Sequence, residues 1–194
     1  MCLDDACRTK QFIKGLFKIV ENLCPTTNNP IHILYAGTGS FATLILPLLS
    51  KYTEHEVHVT LLEINKNSIE NVKHILNQLE FQNHIKDIVC EDATKYEIKT
   101  KVDIVLSETM QHSLLRELQV PIMLNLMKQT NGDSIMIPEE ILLSLAFVDS
   151  RINLDSKEKN PPFKKTEPIL AFDKAWIKSI YPRLPKATTW WTKR

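Results

Sequence analysis

The alternation of short apolar runs with helical segments is the feature that most constrains how this chain folds. The apolar runs are rich in β-branched residues and span residues 31–35, 57–64, 85–90, 102–106, 134–137 and 141–148. The segments whose apolar residues recur at helical spacing span residues 10–23, 41–49, 67–79 and 114–127. Strands that alternate with helices build parallel sheets. We therefore predict an α/β fold that is doubly wound and Rossmann-like, with a mostly parallel sheet, helices on both faces and room for an antiparallel strand at the end of the sheet.

The character of the sequence changes near residue 150. Residues 155–165 are strongly charged and include Pro161-Pro162, a composition typical of a solvated loop or linker. We predict one domain at residues 1–150, led by the helix at 10–23, and a C-terminal extension at 151–194 that could cap a substrate site. Because adjacent tryptophans are seldom left in water, we expect Trp190-Trp191 to pack on the same chain.

Charge and cysteine usage exclude several classes of partner. The chain has 24 Lys and Arg residues against 23 Asp and Glu residues, so no overall charge draws it to nucleic acid or to an anionic membrane. No stretch is typical of a signal peptide or a membrane span, and the four cysteines form no CxxC pair. We therefore expect a cytoplasmic chain with reduced thiols and with no metal site, nucleic-acid surface or membrane partner. Its oligomeric state stays open.

A glycine-containing turn follows the first apolar run. Two of the four glycines in the chain, Gly37 and Gly39, lie between this run and the next helical segment. Glycines at such a turn let the backbone approach a ligand closely, and the N–H groups at the start of a following helix can bind an anion. In dinucleotide-binding proteins a third glycine follows three residues later, where this chain has Ala42. A nicotinamide-dependent oxidoreductase is therefore disfavoured but stays an alternative.

Two carboxylates lie at the ends of the second and third runs. Glu63 can accept hydrogen bonds from both ribose hydroxyls of a nucleoside, and Asp92 can accept one from the amino group of adenine. Either acid alone is most simply a solvated loop residue, but at successive strand ends they jointly favour a nucleoside cofactor. The Glu-then-Asp series resembles the motifs of class I methyltransferases. This resemblance implies that Gly37, Gly39, Glu63, Asp92 and Ala93 bind S-adenosyl-L-methionine.

Two further segments resemble those of protein arginine methyltransferases. The first is LDDACRT at residues 3–9. In that family the arginine of this segment pairs with the methionyl carboxylate of the cofactor, and the resemblance assigns this role to Arg8. The second is SETM at residues 107–110, with a second glutamate, Glu117, nine residues after Glu108. The resemblance implies that Glu108 and Glu117 are the catalytic residues.

The chemistry of a guanidinium explains why two carboxylates would be needed. A guanidinium is cationic and carries several N–H donors, so two carboxylates can hold it, localise its charge and leave one terminal nitrogen able to attack a methyl group. Glu117 could instead be a surface residue at the start of the helix at 114–127, where the positive end of the helix favours a negative charge.

Residues 3–148 carry this resemblance, and the remaining residues leave no room for the C-terminal β-barrel of the family. Phe41 stands where the family usually has a glycine, and Tyr35 where it often has an acid. We predict an S-adenosylmethionine-dependent methyltransferase that acts on a nitrogen, of a guanidine or an amine, in a small molecule or a protein side chain. The alternative is a non-catalytic cofactor-binding or scaffold protein with a degenerate methyltransferase fold.

Overall fold

The computed structural model of the chain describes residues 5–27, 29–110, 118–130, 134–148, 163–173, 175–176 and 179. Contacts between Cα atoms divide the chain into two compact units, Met1–Glu139 and Glu140–Arg194. The predicted division between residues 1–150 and 151–194 stays a prediction, because residues 149–162 lie outside the described residues. None of the helices in the described ranges is long and apolar enough to cross a membrane.

A five-stranded sheet forms the centre of the first unit. Its strands are β1 (Ile31–Ala36), β2 (Val57–Leu62), β3 (Ile85–Val89), β4 (Ile104–Ser107) and β5 (Ile135–Ile137). Their order is β3-β2-β1-β4-β5, and every neighbouring pair is parallel. Because the chain winds outward from β1 in both directions, the sheet is doubly wound. The predicted fold class is therefore confirmed, and no antiparallel strand joins this sheet within the described part of the chain.

The described residues of the first unit include four α-helices. They are α1 (Ala6–Leu23), α2 (Leu46–Leu49), α3 (Lys66–Gln78) and α4 (Gln119–Gln129). Crossovers between parallel strands are right-handed, so α2 and α3 lie on one face of the sheet and α4 lies on the other. Asp5 caps α1 by accepting a hydrogen bond from the backbone N–H of Arg8 at 3.0 Å. The first part of the predicted helix at 114–127 lies outside the described residues, and α4 begins at Gln119.

The predicted helix at residues 41–49 is wrong over most of its length. Residues 39–45 form turns, and only Leu46–Leu49 is helical. Ala42 has a φ of +46°, which is outside the range of a right-handed helix. Pro47 lies in the first turn of α2, where its missing N–H costs nothing. The apolar spacing in this segment therefore reflects burial of the turns against the sheet and not helical geometry.

The hydrophobic core surrounds β1, whose six residues are all buried. The largest fully buried side chains come from α1, the turns before α2, α2 itself, the sheet and α4. They include Leu16, Ile33, Leu44, Leu48, Leu61, Ile104, Leu106 and Met123. Full burial of one such side chain contributes about 1.5–3 kcal/mol. The strand ends that follow these residues are therefore held on a tightly packed base.

One histidine is buried near the amino end of β1. His32 is 6% exposed, with Nδ1 2.6 Å from the carbonyl oxygen of Lys101 and Nε2 2.9 Å from Oγ1 of Thr60. Because a carbonyl only accepts, Nδ1 carries the hydrogen, and Nε2 of the neutral ring accepts from the threonine hydroxyl. Burial lowers the pKa of His32 below its ordinary value, against the opposing effect of the bond to Lys101. Folding therefore favours the neutral ring.

The described strands of the second unit form two small antiparallel pairs. They are β6 (Ile141–Leu143), β7 (Ala146–Val148), β8 (Phe163–Lys165) and β9 (Leu170–Phe172). β6 pairs with β9, and β7 pairs with β8. The prediction of a solvated loop at 155–165 is wrong for its last three residues, because their backbone pairs with β7. The side chains of Lys164 and Lys165 are nevertheless exposed. Trp190-Trp191 lies outside the described residues, so its packing stays a prediction.

Candidate functional site

The carboxyl ends of the central strands come together at one edge of the sheet. The register pairs Ala36, at the end of β1, with Leu62 of β2 and with Ser107 of β4. The residues directly after these three positions are Gly37, Glu63 and Glu108. The strand order changes direction at β1, and doubly wound folds bind their ligands at such a point. The edge predicted from the sequence is therefore assembled by the strand register itself.

A cavity of about 470 Å³ lies at this edge. Its lining includes the predicted site residues that the structure describes, which are Arg8, Gly37, Gly39, Glu63, Asp92, Ala93 and Glu108. The other predicted catalytic residue, Glu117, lies outside the described residues. The cavity has the size of a small-molecule cofactor site, typically about 300–1,000 Å³. Within the ranges that the structure describes, no group of His, Cys, Asp and Glu side chains could hold a metal ion.

The turn after β1 depends on its two glycines for different reasons. Gly37 has a φ of +76° and Gly39 a φ of +60°, a backbone region that residues with a Cβ adopt at a cost. At Gly37 an added Cβ would also collide with Cγ2 of Thr109, whereas nothing lies within 4 Å of the corresponding position at Gly39. Gly37 therefore lets the segment after β4 approach the turn after β1, whereas at Gly39 the missing side chain matters for backbone freedom and not for a close contact.

Glu63 is oriented by two backbone N–H groups. Its Oε2 accepts from the N–H of Gly39 at 2.9 Å, and its Oε1 accepts from the N–H of Asn65 at 2.9 Å. Asn65 in turn caps α3 by accepting from the N–H of Asn67 at 2.9 Å. Each carboxylate oxygen has a further lone pair. Glu63 is thus fixed between two loops while keeping the capacity to accept hydrogen bonds from a ligand.

Asp92 organises the segment after β3. Its Oδ1 accepts from the backbone N–H of Thr94 at 2.9 Å and from the hydroxyl of Thr94 at 2.7 Å. Among the described residues, Oδ2 has a distant ion partner, Nζ of Lys95, at 4.0 Å. The next residue, Ala93, is buried. Its carbonyl oxygen accepts a hydrogen bond from Nδ2 of Asn125 at 2.9 Å. Asp92 and Ala93 therefore line the cavity, and Asn125 of α4 supports this segment through its hydrogen bond to Ala93.

Arg8 and Glu108 form an ion pair at the other side of the cavity. Nη1 of Arg8 lies 3.1 Å from Oε1 of Glu108 and donates to the carbonyl oxygen of Met110 at 3.3 Å. The Glu108 side chain is 5% exposed, and that of Arg8 is 30% exposed. Nε of Arg8 is buried without a hydrogen-bond partner among the described residues, with Oδ2 of Asp5 3.6 Å away. A buried donor of this kind is complementary to a ligand carboxylate.

Gln119, the first residue of α4, is a site residue that the sequence reasoning missed. It is 0% exposed, and it bonds to Ser107 and Thr109 on either side of Glu108. The segment was predicted to be helical from its apolar residues, and Gln119 was not singled out. Gln119 stands at helical spacing from Ile122, Met123 and Leu126. A polar residue on such an apolar face is the sequence signal that could have identified it, since buried polar groups need partners.

The two departures from the family pattern occupy different environments. Tyr35 is buried in β1 and Phe41 is exposed, and both line the cavity. Both side chains therefore narrow the space available near the glycine turn without removing the cavity. Burial also raises the pKa of Tyr96, which shares with Ala93 the hydrogen bonds from Asn125. The charges of Asp87 and Glu91 raise this pKa further, by smaller amounts.

Comparisons with known proteins agree with this architecture. The sequence profile of the PRMT5 arginine-N-methyltransferase family matches residues 6–137, more than half of the chain. No curated protein sequence matches the chain. Protein arginine methyltransferase 10 of Arabidopsis thaliana, solved in a uniquely open conformation, shares the fold with a TM-score of 0.63 at 19% identity, and the match covers 77% of this chain and 40% of that chain.

A second solved structure is that of the PRMT1 enzyme-prozyme heterotetrameric complex of Trypanosoma brucei with AdoHcy. It matches with a TM-score of 0.57 at 18% identity, over 74% of this chain and 41% of that chain. This chain therefore spans about two fifths of the length of these solved chains.

The profile match begins at Ala6, where α1 begins, and ends at Ile137, where β5 ends. It thus covers the doubly wound sheet and the edge at which the cavity lies, while the two solved structures show the same fold. The predicted resemblance to the catalytic half of arginine methyltransferases is confirmed. The chain belongs to the PRMT5 arginine-N-methyltransferase family.

Proposed function

We propose that this chain binds S-adenosyl-L-methionine at the carboxyl edge of its sheet and methylates a nitrogen of a guanidine or an amine, in a small molecule or a protein side chain. The observation that carries the proposal is the convergence of Arg8, Glu63, Asp92 and Glu108, from four separate segments, on one cavity. Family membership and the arginine methyltransferases among the solved structures support the same activity.

The described residues fit the cofactor. Glu63 has lone pairs available for ribose hydroxyls, and Asp92 has Oδ2 available for the amino group of adenine. The buried Nε of Arg8 offers a donor to the methionyl carboxylate. When bound, S-adenosyl-L-methionine would supply a methyl group on a positively charged sulfur, and transfer of that methyl group to a nucleophilic nitrogen would break the sulfur–methyl bond and release S-adenosylhomocysteine.

Glu108 supplies the chemistry expected of the acceptor side. Its buried carboxylate is already paired with one guanidinium, that of Arg8, so its environment accommodates such a cation. A second guanidinium held by Glu108 would have its charge drawn toward the bound nitrogens, which leaves a terminal nitrogen better able to attack. Glu117 is the proposed second carboxylate. An acceptor proton leaves as the new nitrogen–carbon bond forms, and a neighbouring carboxylate or water can accept it.

The test is transfer of a tritiated methyl group from S-adenosyl-L-methionine to three acceptors: a peptide rich in glycine and arginine, the same peptide with lysine in place of arginine, and free arginine. We expect incorporation into at least one of them. Glu108→Gln should abolish incorporation while the affinity for S-adenosylhomocysteine is kept. The control is Glu70→Gln, since Glu70 is exposed and pairs only with Lys73 on the surface of α3.

The outcomes separate the proposal from its alternative. Incorporation that Glu108→Gln abolishes and Glu70→Gln leaves intact supports catalysis. Cofactor binding with no incorporation into any acceptor contradicts catalysis and favours the non-catalytic cofactor-binding protein. The cytoplasmic localisation belongs to the same proposal, and microscopy of the tagged chain tests it.

A further inference from the structure

We infer that Gln119 is a positioning residue that fixes the backbone on both sides of Glu108. The inference rests on the proposed function of Glu108, and it adds a residue to which no role has been assigned. Gln119 is fully buried at the start of α4, whereas the segment that it holds follows β4. A change at Gln119 therefore reaches Glu108 through the residues on either side of it.

The hydrogen bonds of Gln119 enclose Glu108. Its Oε1 accepts from the backbone N–H of Thr109 at 2.8 Å and from the Thr109 hydroxyl at 2.6 Å. Its Nε2 donates to the carbonyl oxygen of Ser107 at 3.0 Å. The two residues that flank Glu108 are thus tied to one side chain, and the backbone of Glu108 cannot shift without breaking these bonds.

The partners also fix the orientation of the Gln119 amide. A backbone N–H only donates and a carbonyl only accepts, so Oε1 must face Thr109 and Nε2 must face Ser107. The hydroxyl of Ser107 adds a longer contact to Oε1 at 3.4 Å. A side chain with the same shape but without a donor at Nε2 therefore loses the bond to the Ser107 carbonyl.

Thr109 links this arrangement to the turn after β1. Its Cγ2 lies against Gly37, where any added Cβ would collide with it. By holding the hydroxyl of Thr109, Gln119 also sets the direction of this methyl group. The side chain thus determines how the Glu108 segment packs on the glycine turn, which places Glu108 relative to the cofactor half of the cavity.

A purely structural role is the competing explanation, and α4 contains a matched control for it. Asn125 is also a buried amide, 6% exposed, and its Nδ2 donates to the carbonyl oxygens of Ala93 and Tyr96, both at 2.9 Å. Removing either amide leaves buried partners unsatisfied, which costs stability in both cases. Only Gln119, however, is bonded to the residues that flank Glu108.

The experiment compares Gln119→Leu with Asn125→Leu. Both variants should melt at a lower temperature than the wild type. Gln119→Leu should lower kcat for a methyl acceptor by about 10- to 100-fold, the cost of a misplaced reacting group, with the dissociation constant of S-adenosylhomocysteine kept. Asn125→Leu should chiefly raise that dissociation constant. If the loss of kcat follows the decrease in melting temperature in the same way in both variants, the inference is overturned.

Gln119→Glu adds a pH-dependent test of whether the hydrogen bonds of Gln119 are what turnover requires. A protonated carboxyl has one accepting oxygen and one donating hydroxyl, so it can replace both halves of the amide, and burial favours that neutral form. Turnover by this variant, relative to wild type at the same pH, should therefore recover as the pH is lowered. Gln119→Leu should show no recovery at any pH. If turnover by Gln119→Glu also fails to recover as the pH is lowered, the inference is contradicted.

Hydrogen exchange separates failure of this inference from failure of the proposed function. If the wild-type chain methylates none of the three acceptors, the proposed function fails, but the amide of Thr109 can still be followed. Positioning by Gln119 predicts that its exchange, and that of peptides covering residues 107–110, accelerates in Gln119→Leu and not in Asn125→Leu. Unchanged exchange at Thr109 in Gln119→Leu would overturn the inference whatever the activity.

Discussion

The two sides of the cavity hold their carboxylates in different ways. On the side proposed to bind the cofactor, called the cofactor side, Glu63 and Asp92 accept hydrogen bonds from N–H groups in the loops around them, such as those of Asn65 and Thr94. On the side proposed to bind the acceptor, called the acceptor side, Glu108 pairs with Arg8 of α1, and the residues that flank Glu108 bond to Gln119 of α4. The first arrangement is built by the turns after the strands, and the second by helices from distant parts of the chain.

This difference bears on what each side can tolerate. Carboxylates held by the turns after neighbouring strands keep their positions as long as those turns fold, whereas one held by two helices depends on their packing. Glu63 and Asp92 should therefore respond mainly to changes in those turns, and α4 acts on this side through the bond of Asn125 to Ala93. The acceptor side should respond also to changes in α1 and α4, and substitutions at Gly37, Glu63 and Arg8 test this contrast.

The largest effect is expected at Gly37, where the two sides touch. Gly37→Ala should lower the free energy of unfolding by about 2–5 kcal/mol, because a positive φ and a collision with Cγ2 of Thr109 are both unfavourable. Gly39→Ala has the same kind of backbone cost without the collision, about 1–2 kcal/mol. Denaturant unfolding of both variants measures the difference.

A second substitution identifies the cause. Thr109→Ser removes the colliding methyl group but keeps the hydroxyl that bonds to Gln119. We expect Gly37→Ala to be partly rescued by Thr109→Ser, and Gly39→Ala not to be. Equal destabilisation by the two alanines, with no rescue, would contradict the proposed contact between the two sides.

Glu63→Ala should have the next largest effect, and it should be confined to the cofactor side. Two hydrogen bonds from ribose hydroxyls to a charged group contribute about 1.5–3 kcal/mol each, so the dissociation constant of S-adenosylhomocysteine should rise by at least about 100-fold. Equilibrium dialysis measures it, with Glu70→Ala as the control. Wild-type affinity in Glu63→Ala would exclude the carboxylate as a ribose ligand.

Arg8→Ala tests whether one residue serves both sides. Loss of a charge-assisted bond to the methionyl carboxylate should weaken binding of S-adenosylhomocysteine by about 10-fold. Binding of adenosine, which lacks that carboxylate, should not change. Calorimetry on both ligands gives the comparison. If adenosine loses as much affinity as S-adenosylhomocysteine, Arg8 acts through the fold and not through the carboxylate.

The strand ends that carry Glu63 and Asp92 could be predicted from the sequence, whereas the bonds of Gln119 around Glu108 could not, for a physical reason. Period-two and helical patterns are local, so the strands and the positions of Glu63 and Asp92 at strand ends could be inferred from neighbouring residues. The partners of Gln119 belong to another element, and a packing arrangement decides them. The predicted helix at 41–49 is wrong for a similar reason, because the spacing of apolar residues does not reveal the positive φ of Ala42.

The smallest effect is expected at the opposite edge of the sheet, at His32. Because folding lowers its pKa, the unfolded chain binds a proton more readily, and the free energy of unfolding should decrease as the pH falls below the ordinary histidine value of about 6.5. Lys86 and His58 add to the shift, and Asp103 opposes it. His32→Asn should lose this part of the pH dependence in denaturant titrations. An identical pH dependence in both proteins would contradict a neutral, buried His32.

Calorimetric titration of the wild-type chain with S-adenosylhomocysteine tests the central claim most directly, because every proposed step requires a cofactor at the carboxyl edge of the sheet. The structure predicts saturable binding of one molecule per chain, lost in Glu63→Ala and weakened in Arg8→Ala. Absence of binding by the folded wild-type chain, or binding unaffected by both substitutions, would contradict the account.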